Sequence, residues 1–257
     1  MITSTSNAKV KELVQLQKKS KARSKAKKFV VEGIRMVKET PRDRLEALYI
    51  SESFWNKYGN PIEGAFAEVL SDKVFAYVSD TKTPQGILAV VRQIEYDVKE
   101  MIQGQDAHIL ILDNLQDPGN LGTIFRTAEA AGVTGILLSM GCADIYNPKT
   151  IRSTMGSLYR MPFAYVEEFI ETIQEVKKNG IKVFAAHLEG KNSYDQEDYR
   201  KGSAFLIGNE GNGLRQEVAD CADVRIRIPM QGQVESLNAA IAATVLMFEV
   251  SRQRRWS

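Results

Sequence analysis

Polar side chains suited to chemistry are gathered in three short clusters, and each cluster follows a predicted apolar strand. The clusters span residues 114–126, 208–214 and 229–238. Parallel strands bring their carboxyl ends to one edge of a sheet, where α/β folds bind ligands. The two cysteines, Cys142 and Cys221, have no CxxC neighbour and no histidine cluster, so neither a zinc site nor a disulfide framework is indicated. The pattern predicts a ligand site without a metal.

The second cluster lies in AFLIGNEGNGLRQE, residues 204–217, where an apolar strand ends and a helix begins. Its glycines, Gly208, Gly211 and Gly213, let the backbone approach a ligand closely. Phosphate is the usual ligand of such a loop, because a helix N-terminus offers free N–H groups and positive potential. Glu210 argues against phosphate, since it adds a negative charge. The loop therefore suits a neutral or cationic ligand.

The polar residues of the clusters also have structural interpretations. Asn120 could cap the helix that it opens, and Glu210 could be an acid of a surface loop. Ser236 and Asn238 could be a cap and a first-turn residue of the last helix. Arg126 is harder to explain in this way, because its helix holds a cation close to the sheet edge, although a salt bridge would also account for it.

Apolar periodicity divides the chain into two α/β halves. The first half, residues 1–95, has predicted strands at 28–33, 45–51, 73–79 and 86–92, and predicted helices at 7–16, 34–39 and 65–70. Residues 96–106 form a polar linker. The second half, residues 107–257, alternates strands that begin at 108, 135, 181, 204 and 224 with helices at 120–132, 149–157, 167–179, 213–220 and 236–255. This alternation predicts a mostly parallel sheet in the second half.

Positive charge is concentrated at one end of the chain, whose net charge is only +2. Residues 1–44 contain thirteen Lys or Arg against four Asp or Glu, so the remainder is net negative. A basic run such as KKSKARSKAKK, residues 18–28, is either a solvated helix face or a surface that binds phosphates. Because the run has one sign and joins two foldable segments, we expect it to contact nucleic acid. Its candidate residues are Lys18, Lys19, Lys21, Arg23, Lys25, Lys27 and Lys28.

Two kinds of segment are missing from the sequence. No stretch reaches the eighteen or so uncharged apolar residues of a membrane span, and the N-terminus lacks the apolar run of a signal peptide. We therefore expect a cytoplasmic protein that does not bind membranes.

Together the three clusters resemble the signature motifs of a known family. LDNLQDPGNLGTIFRTAEAAG, AFLIGNEGNGL and IRIPMQGQVESLNAAIAATVLMFE are similar, in order and spacing, to the motifs of the SpoU/TrmH family of RNA ribose 2′-O-methyltransferases, within the SPOUT superfamily. IRSTMGSLYRMP, residues 151–162, resembles the intermediate segment of this family. KFVVEG and TPQGILAVV resemble its smaller N-terminal substrate-binding domain, which is similar to a ribosomal-protein RNA-binding fold. The resemblance covers essentially the whole chain.

The resemblance implies a SPOUT catalytic domain with a trefoil knot, a topology that no periodicity could reveal. The knot would form a pocket for S-adenosylmethionine, which carries a sulfonium cation and no phosphate and so suits an acidic glycine loop. Family members pair through this domain, so RNA and a second copy of the chain are the expected partners. The implied cofactor-binding residues are Gly208, Asn209, Gly211, Gly213, Ile228, Met230, Ser236, Leu237 and Asn238.

The implied catalytic residues are Arg126, Asn120, Glu210 and Asn238. In the family the arginine is proposed to activate the ribose hydroxyl, but a guanidinium stays protonated and is a poor base. We expect Arg126 instead to stabilise the developing alkoxide and the adjacent phosphate. Asn120 is expected to position the ribose, and Glu210 to orient Arg126 or to accept a proton through water.

The intermediate segment departs from the family pattern at one position. Thr154 follows Arg152 and Ser153 where the family usually has serine. A hydroxyl is retained, and which of Ser153 and Thr154 faces the substrate stays open. Arg152 is expected to contact RNA.

The expected function is S-adenosylmethionine-dependent methylation of a ribose 2′-hydroxyl in structured RNA. The basic N-terminal domain favours ribosomal RNA over transfer RNA, although analogy of fold does not fix a substrate. A non-catalytic RNA-binding or assembly factor on the same fold is the alternative. The presence of Arg126, Asn120 and the glycine loop favours an enzyme.

Overall fold

Residues 1–255 are described by a computed structural model, and their contacts divide the chain into two units. The first unit comprises Met1–Ile94 and Asp144–Tyr159, and the second comprises Glu95–Ala143 and the chain from Arg160 onward. No helix among the described residues is long and apolar enough to span a membrane.

Helices and strands alternate along most of the chain. From the N-terminus to residue 101 the elements are α1 (Ala8–Lys18), α2 (Ser20–Ala26), β1 (Lys28–Glu32), α3 (Ile34–Glu39), β2 (Leu45–Ser51), α4 (Glu52–Tyr58), β3 (Ala67–Leu70), α5 (Asp72–Val78), β4 (Ile87–Arg92) and α6 (Val98–Met101). They continue with β5 (His108–Leu112), α7 (Pro118–Ala131), β6 (Gly135–Ser139), α8 (Pro148–Thr154), β7 (Phe163–Val166), α9 (Phe169–Lys178), β8 (Lys182–Ala186), β9 (Asn192–Ser193), β10 (Ser203–Ile207), α10 (Gln216–Ala219), β11 (Val224–Arg227) and α11 (Ala239–Arg255).

The first unit is built on a four-stranded sheet in the order β1-β4-β2-β3. β4 is antiparallel to both of its neighbours, and β2 and β3 are parallel. One face of α1 presents Val10, Leu13 and Leu16, and these buried side chains pack with Val30 and Leu88 of the sheet. Burying an aliphatic side chain of this size stabilises a fold by roughly 1.5–3 kcal/mol, so α1 is held mainly by this stripe.

The second unit is built on a seven-stranded sheet in the order β7-β6-β5-β10-β8-β11-β9. Every neighbouring pair in it is parallel. All residues of β5, β6 and β10 are buried, as expected of parallel strands whose two faces are covered. The predicted α/β class with a mostly parallel sheet is confirmed, and the trefoil knot stays a prediction.

Two short elements of the first unit differ from the sequence prediction. Residues 65–70 were expected to be helical, but β3 lies there and pairs with β2, with Ile50 opposite Val69. Residues 73–79 were expected to be a strand, but they lie in α5, which buries Val74 and Val78 on one face. Both segments are short apolar runs whose period does not separate helix from strand, so pairing with β2 decided the outcome.

Residues 144–159, which the sequence analysis placed in the second domain, belong to the first unit. The Tyr146 hydroxyl donates to the Ile94 carbonyl and accepts from the Ile94 N–H, both at 3.0 Å. The Tyr159 and Thr40 hydroxyls are hydrogen-bonded at 3.0 Å. These buried contacts, rather than sequence position, assign the segment to this unit.

Arg23 is the best-satisfied cation of the basic run. Only 3% of it is exposed, and its guanidinium donates to Asp144 at 2.6 and 3.0 Å. It also donates to the carbonyls of Leu16 and Gln17 at 2.8 and 3.1 Å. The expectation that Arg23 contacts RNA is therefore wrong, because its guanidinium is buried and donates four hydrogen bonds within the protein.

We expect Arg23→Ala to lower the free energy of unfolding by about 2–4 kcal/mol, because the change strips Asp144 and two carbonyls of their donor. Lys21→Ala, an exposed change on the same helix, is the matched control and should alter stability by less than about 0.5 kcal/mol. Urea denaturation of both variants measures the difference. Equal stabilities would show that the ion pair contributes nothing.

Candidate active site

The carboxyl edge of the seven-stranded sheet holds the loops that carry the predicted site. β5, β10, β8 and β11 are consecutive neighbours in this sheet and run parallel. The segments that follow β5, β10 and β11 therefore leave the sheet at the same edge. These segments contain the three polar clusters of the sequence.

The loop after β10 is a tight turn closed by its own backbone. Asn209 and Gly213 exchange N–H···O hydrogen bonds of 2.9 and 3.0 Å. The Asn209 side chain accepts from the Gly211 N–H at 2.9 Å and donates to the Asn114 carbonyl at 2.8 Å. Gly208 is required at the start of the turn, because a Cβ there would lie 2.2 Å from the carbonyl carbon of Gly213. The turn is thus held both internally and by the segment after β5.

Glu210, in the same loop, binds the segment that opens α7. Its carboxylate accepts from the N–H groups of Gln116 and Asp117 at 3.2 and 3.0 Å, and from the side-chain amide of Asn120 at 3.0 Å. Partial burial alone would raise the pKa of Glu210, but these donors outweigh burial and lower that pKa below the ordinary glutamate value. The carboxylate is therefore ionised at neutral pH and already occupied by donors, which makes it a poor proton acceptor.

Asn120 connects Glu210 to the third cluster. The Asn120 N–H donates to Asp117 Oδ1 at 2.7 Å, so Asp117 caps α7 and the interpretation of Asn120 as the cap is wrong. The Asn120 side chain is thereby free to donate to Glu210 and to accept from the Asn238 amide at 3.1 Å. Asn238 Oδ1 accepts from the Ala240 N–H at 2.9 Å at the start of α11. A hydrogen-bonded chain from Glu210 through Asn120 to Asn238 thus joins the three clusters.

Arg126 lies on α7, on the same helix as Asn120, and is exposed. Its guanidinium makes no hydrogen bond or ion pair with any of residues 1–255. A salt bridge therefore does not explain its position, and the expectation that Glu210 orients it is wrong, because the Glu210 carboxylate is bonded to Asn120 and the backbone instead. An exposed, unpaired guanidinium is available to an anionic ligand.

An ion pair between a buried acid and an exposed arginine, which the sequence did not predict, also connects these loops. Asp113 is fully buried directly after β5, and Arg215 binds it through Nε at 3.0 Å and Nη2 at 2.8 Å. The Arg215 N–H also donates to Asp113, at 3.2 Å. This pair ties the chain after the glycine turn to the end of β5. The sequence feature that could have indicated this ion pair is the acid directly after an apolar strand.

The loop after β8 was also missed. β8 lies between β10 and β11, so its loop leaves the sheet between the two predicted cofactor loops. Gly190 approaches β11 itself closely, since a Cβ on it would lie 2.4 Å from the carbonyl carbon of Ile226. Leu188 in the same loop is 66% exposed.

Open space adjoins the glycines of the predicted cofactor loops. A Cβ on Gly213 or Gly232 would meet no atom within 4 Å, and one on Gly211 would meet only the Asn209 side chain, at 3.6 Å. A ligand can therefore lie against the backbone there, as a nucleoside requires. Among the described residues, no group of three or more His, Cys, Asp or Glu is placed to hold a metal ion.

The other predicted cofactor residues lie on the segment after β11. Within residues 1–255, no hydrogen bond links residues 228–237 to the glycine turn. Asn238 alone connects this segment to the Glu210 cluster, through Asn120. The predicted residues without such a link are Ile228, Met230, Ser236 and Leu237.

The predicted RNA-binding residues lie in the first unit and differ in availability. Lys28 is half-buried and pairs with Glu46 at 3.3 Å, and Arg152 pairs with Asp80 at 2.7 Å. Lys27 is exposed and ends α2 with a φ of 52°. Four lysines, Lys18, Lys19, Lys21 and Lys25, are exposed and form no ion pair with any described residue.

Both hydroxyls of the intermediate segment are used within α8. Thr154 is fully buried, and its hydroxyl donates to the Ile151 carbonyl at 2.7 Å. The Ser153 hydroxyl donates to the Lys149 carbonyl at 3.1 Å. Ser153 is the more exposed of the two, so it is the better candidate to reach a ligand.

Comparison with known proteins agrees with this geometry. The SpoU rRNA Methylase family matches residues 107–248, and the MRM3-like substrate binding domain matches residues 7–89. The 23S rRNA (guanosine(2553)-2′-O)-methyltransferase RlmP of Bacillus subtilis is 34% identical over 253 residues, which cover 97% of this chain and 98% of that protein.

Two solved structures are similar over nearly the whole chain. The AdoMet-bound rRNA methyltransferase of Sinorhizobium meliloti is 31% identical with a TM-score of 0.85, covering 98% of this chain and 97% of that one. The SpoU methyltransferase AviRb of Streptomyces viridochromogenes, in complex with AdoMet, is 27% identical with a TM-score of 0.85, covering 98% and 100%.

Fold and site together define a methyltransferase whose ligand loops leave one edge of a parallel sheet. The chain belongs to the SpoU family of RNA methylases, as its three motifs predicted. S-adenosylmethionine is its cofactor. The glycine turn, open beside its backbone and acidic rather than basic, fits this sulfonium nucleoside.

We expect Glu210→Gln to weaken S-adenosylmethionine binding by about tenfold, because an amide cannot accept from all three donors that hold the glycine turn to α7. Glu175→Gln, an exposed change on α9, is the matched control and should leave the affinity unchanged. Calorimetric titration measures both. Wild-type affinity in Glu210→Gln would mean that the turn needs no anchor.

Proposed function

We propose that the chain methylates the 2′-hydroxyl of a ribose in ribosomal RNA. The observation that carries this proposal is the chain of hydrogen bonds from Glu210 through Asn120 to Asn238, with the unpaired Arg126 on the same helix as Asn120. Similarity to RlmP over 97% of the chain supports ribosomal RNA as the substrate.

The reaction is a direct displacement in which the ribose 2′-oxygen forms a bond to the methyl carbon. The carbon–sulfur bond breaks with its electron pair going to sulfur, and the hydroxyl proton is released to water. Bound S-adenosylmethionine supplies the electrophilic methyl group. Arg126 stabilises the negative charge that develops on the ribose oxygen. Asn120, held on both sides by Glu210 and Asn238, positions the ribose. Glu210 acts as a positioning residue, because its lowered pKa and three donors make it a poor base.

RNA binding is assigned to the first unit. Its exposed lysines, Lys18, Lys19, Lys21 and Lys25, provide positive charge on a short stretch of helix, whereas the second unit lies in the part of the chain that is net negative. Phosphate neutralisation by lysine does not depend on sequence, so this surface contributes affinity and not the choice of nucleotide.

A second copy of the chain is the proposed protein partner. Ile241 and Phe248 of α11 are 50% and 43% exposed, and Val245 between them is half-buried on the same stripe. An exposed apolar stripe of this kind suits two-fold pairing, which is the commonest mode of oligomerisation. The mass in solution, measured by light scattering at micromolar concentration, tests this assignment.

We expect Arg126→Ala to reduce methyl transfer about 10²–10³-fold while S-adenosylmethionine affinity stays nearly unchanged, because the guanidinium acts on the transition state. Arg126→Lys keeps a charge but loses the planar fork, so it should retain part of the activity. The assay is methyl transfer to ribosomal RNA from cells that lack the gene, with calorimetry for the cofactor. Loss of cofactor affinity in Arg126→Ala would overturn the assigned role.

Changing the four exposed lysines to alanine should flatten the dependence of log RNA affinity on log salt by about 2 to 4 units, because each phosphate contact releases condensed counterions. The matched control replaces four exposed, unpaired lysines of the second unit: Lys99, Lys178, Lys191 and Lys201. RNA binding across a salt series measures both slopes. Identical slopes in the two quadruple variants would show that the basic run is only a solvated helix face.

A further inference from the structure

A groove of about 380 Å³ in the first unit belongs to none of the clusters described above. It lies between α4, α5 and the turn that precedes β4. Gly86 lines it, and a Cβ there would lie 2.7 Å from Ser51 Oγ and 2.8 Å from the Cβ of Phe54. The groove is therefore shaped by packed elements and not by a loose loop.

Three aromatic rings line the groove, those of Phe54, Tyr58 and Phe75. Phe54 and Tyr58 are four residues apart on α4, and their ring centroids are 4.9 Å apart at an angle of 53°. Tyr58 is 60% exposed although it lines a concave surface. An exposed ring in a groove offers a face on which a planar ligand can stack.

Hydrogen-bonding groups stand at the rim. Ser53 donates to Asp72 through its N–H at 3.1 Å and its hydroxyl at 2.5 Å, which leaves lone pairs of the carboxylate to accept further bonds. Gln85 Oε1 accepts from the Ile34 N–H at 3.0 Å, so the side-chain amide nitrogen remains as a donor. A donor and an acceptor beside aromatic rings match the edge of a nucleobase.

One lysine, Lys57, lines the same groove, and its ammonium lies 5.0 Å from the centroid of the Tyr58 ring. Lys73 and Lys82 do not line the groove but are one and two positions from the lining residues Asp72 and Pro84. None of these three lysines forms an ion pair with residues 1–255. Their charge complements a phosphate backbone.

We propose that this groove binds the base of one unpaired RNA nucleotide, stacked on Tyr58, with its phosphate on Lys57. The inference rests on the proposed function and identifies a feature of the substrate: a nucleotide outside the duplex, at a site separate from the methylated ribose. A paired base cannot enter, because its faces are stacked and its edge is bonded. The cavity volume falls within the range of sites for small planar ligands.

The test uses the full chain and a single-stranded RNA of about ten nucleotides that carries 2-aminopurine at its centre. Stacking quenches 2-aminopurine fluorescence, so wild type should quench this strand and bind its fully paired duplex more weakly.

Tyr58→Ala should weaken single-strand binding by about tenfold and lose the quenching, whereas Tyr58→Phe keeps both. Lys57→Ala should reduce the salt slope by about 0.7. Tyr77→Ala is the matched control, since Tyr77 is 53% exposed on α5 but does not line the groove.

Equal binding by Tyr58→Ala and wild type, equal losses in Tyr58→Ala and Tyr77→Ala, or no binding of the single strand by wild type would each overturn the inference. Methyl transfer to ribosomal RNA and cofactor affinity are measured on the same proteins. If the wild type methylates RNA and Tyr58→Ala binds the single strand as the wild type does, only the proposal about the groove is overturned. If the wild type does not methylate ribosomal RNA, the proposed function is overturned instead.

Discussion

The arrangement of the site depends on the hydrogen bonds that the Glu210 carboxylate accepts. Three loops leave one edge of the parallel sheet. Each belongs to a different segment of the chain, so contacts between the loops must fix their relative positions. Glu210 joins two of them through the N–H groups of Gln116 and Asp117, and the amide of Asn120 extends the connection to Asn238 on the third. Hydrogen bonds to an ionised carboxylate are stronger than those between neutral groups, so one acid can hold this edge in a single arrangement.

The hydrogen bonds of Glu210 also keep its charge apart from that of Arg126. Because the Glu210 carboxylate accepts from Asn120 and the backbone, it does not pair with Arg126. Arg126 therefore keeps an unneutralised guanidinium on the surface of α7, where an anionic ligand can reach it. A salt bridge between these two residues would have cancelled that charge before any substrate arrived.

One basic run has two physical roles in the first unit. The helical turn that exposes Lys21 and Lys25 turns Arg23 inward, where Asp144 and two carbonyls take up its donors. A planar guanidinium can satisfy several acceptors from one buried position, whereas an ammonium is strongly hydrated and better left in water. The arginine thus holds residues 144–159 to this unit, and the lysines remain exposed to solvent.

The sequence by itself determined the parallel sheet, the three polar clusters at its edge and the family, because strand burial and motif spacing are local properties of the chain. It did not determine that Asp117 rather than Asn120 caps α7, that Arg215 binds Asp113, or that Arg23 is buried. The cap is local, but its choice depends on where the backbone enters the helix, because Asp117 and Asn120 are only three residues apart. The last two depend on a distant segment, since Asp113 and Arg215 are 102 positions apart and Arg23 and Asp144 are 121 positions apart. The exchange of helix and strand at 65–79 has the same cause, since pairing with β2 outweighed the weak preference of two short apolar runs. Tertiary structure decides such outcomes because packing and hydrogen bonding between segments exceed the local preferences that a sequence pattern records.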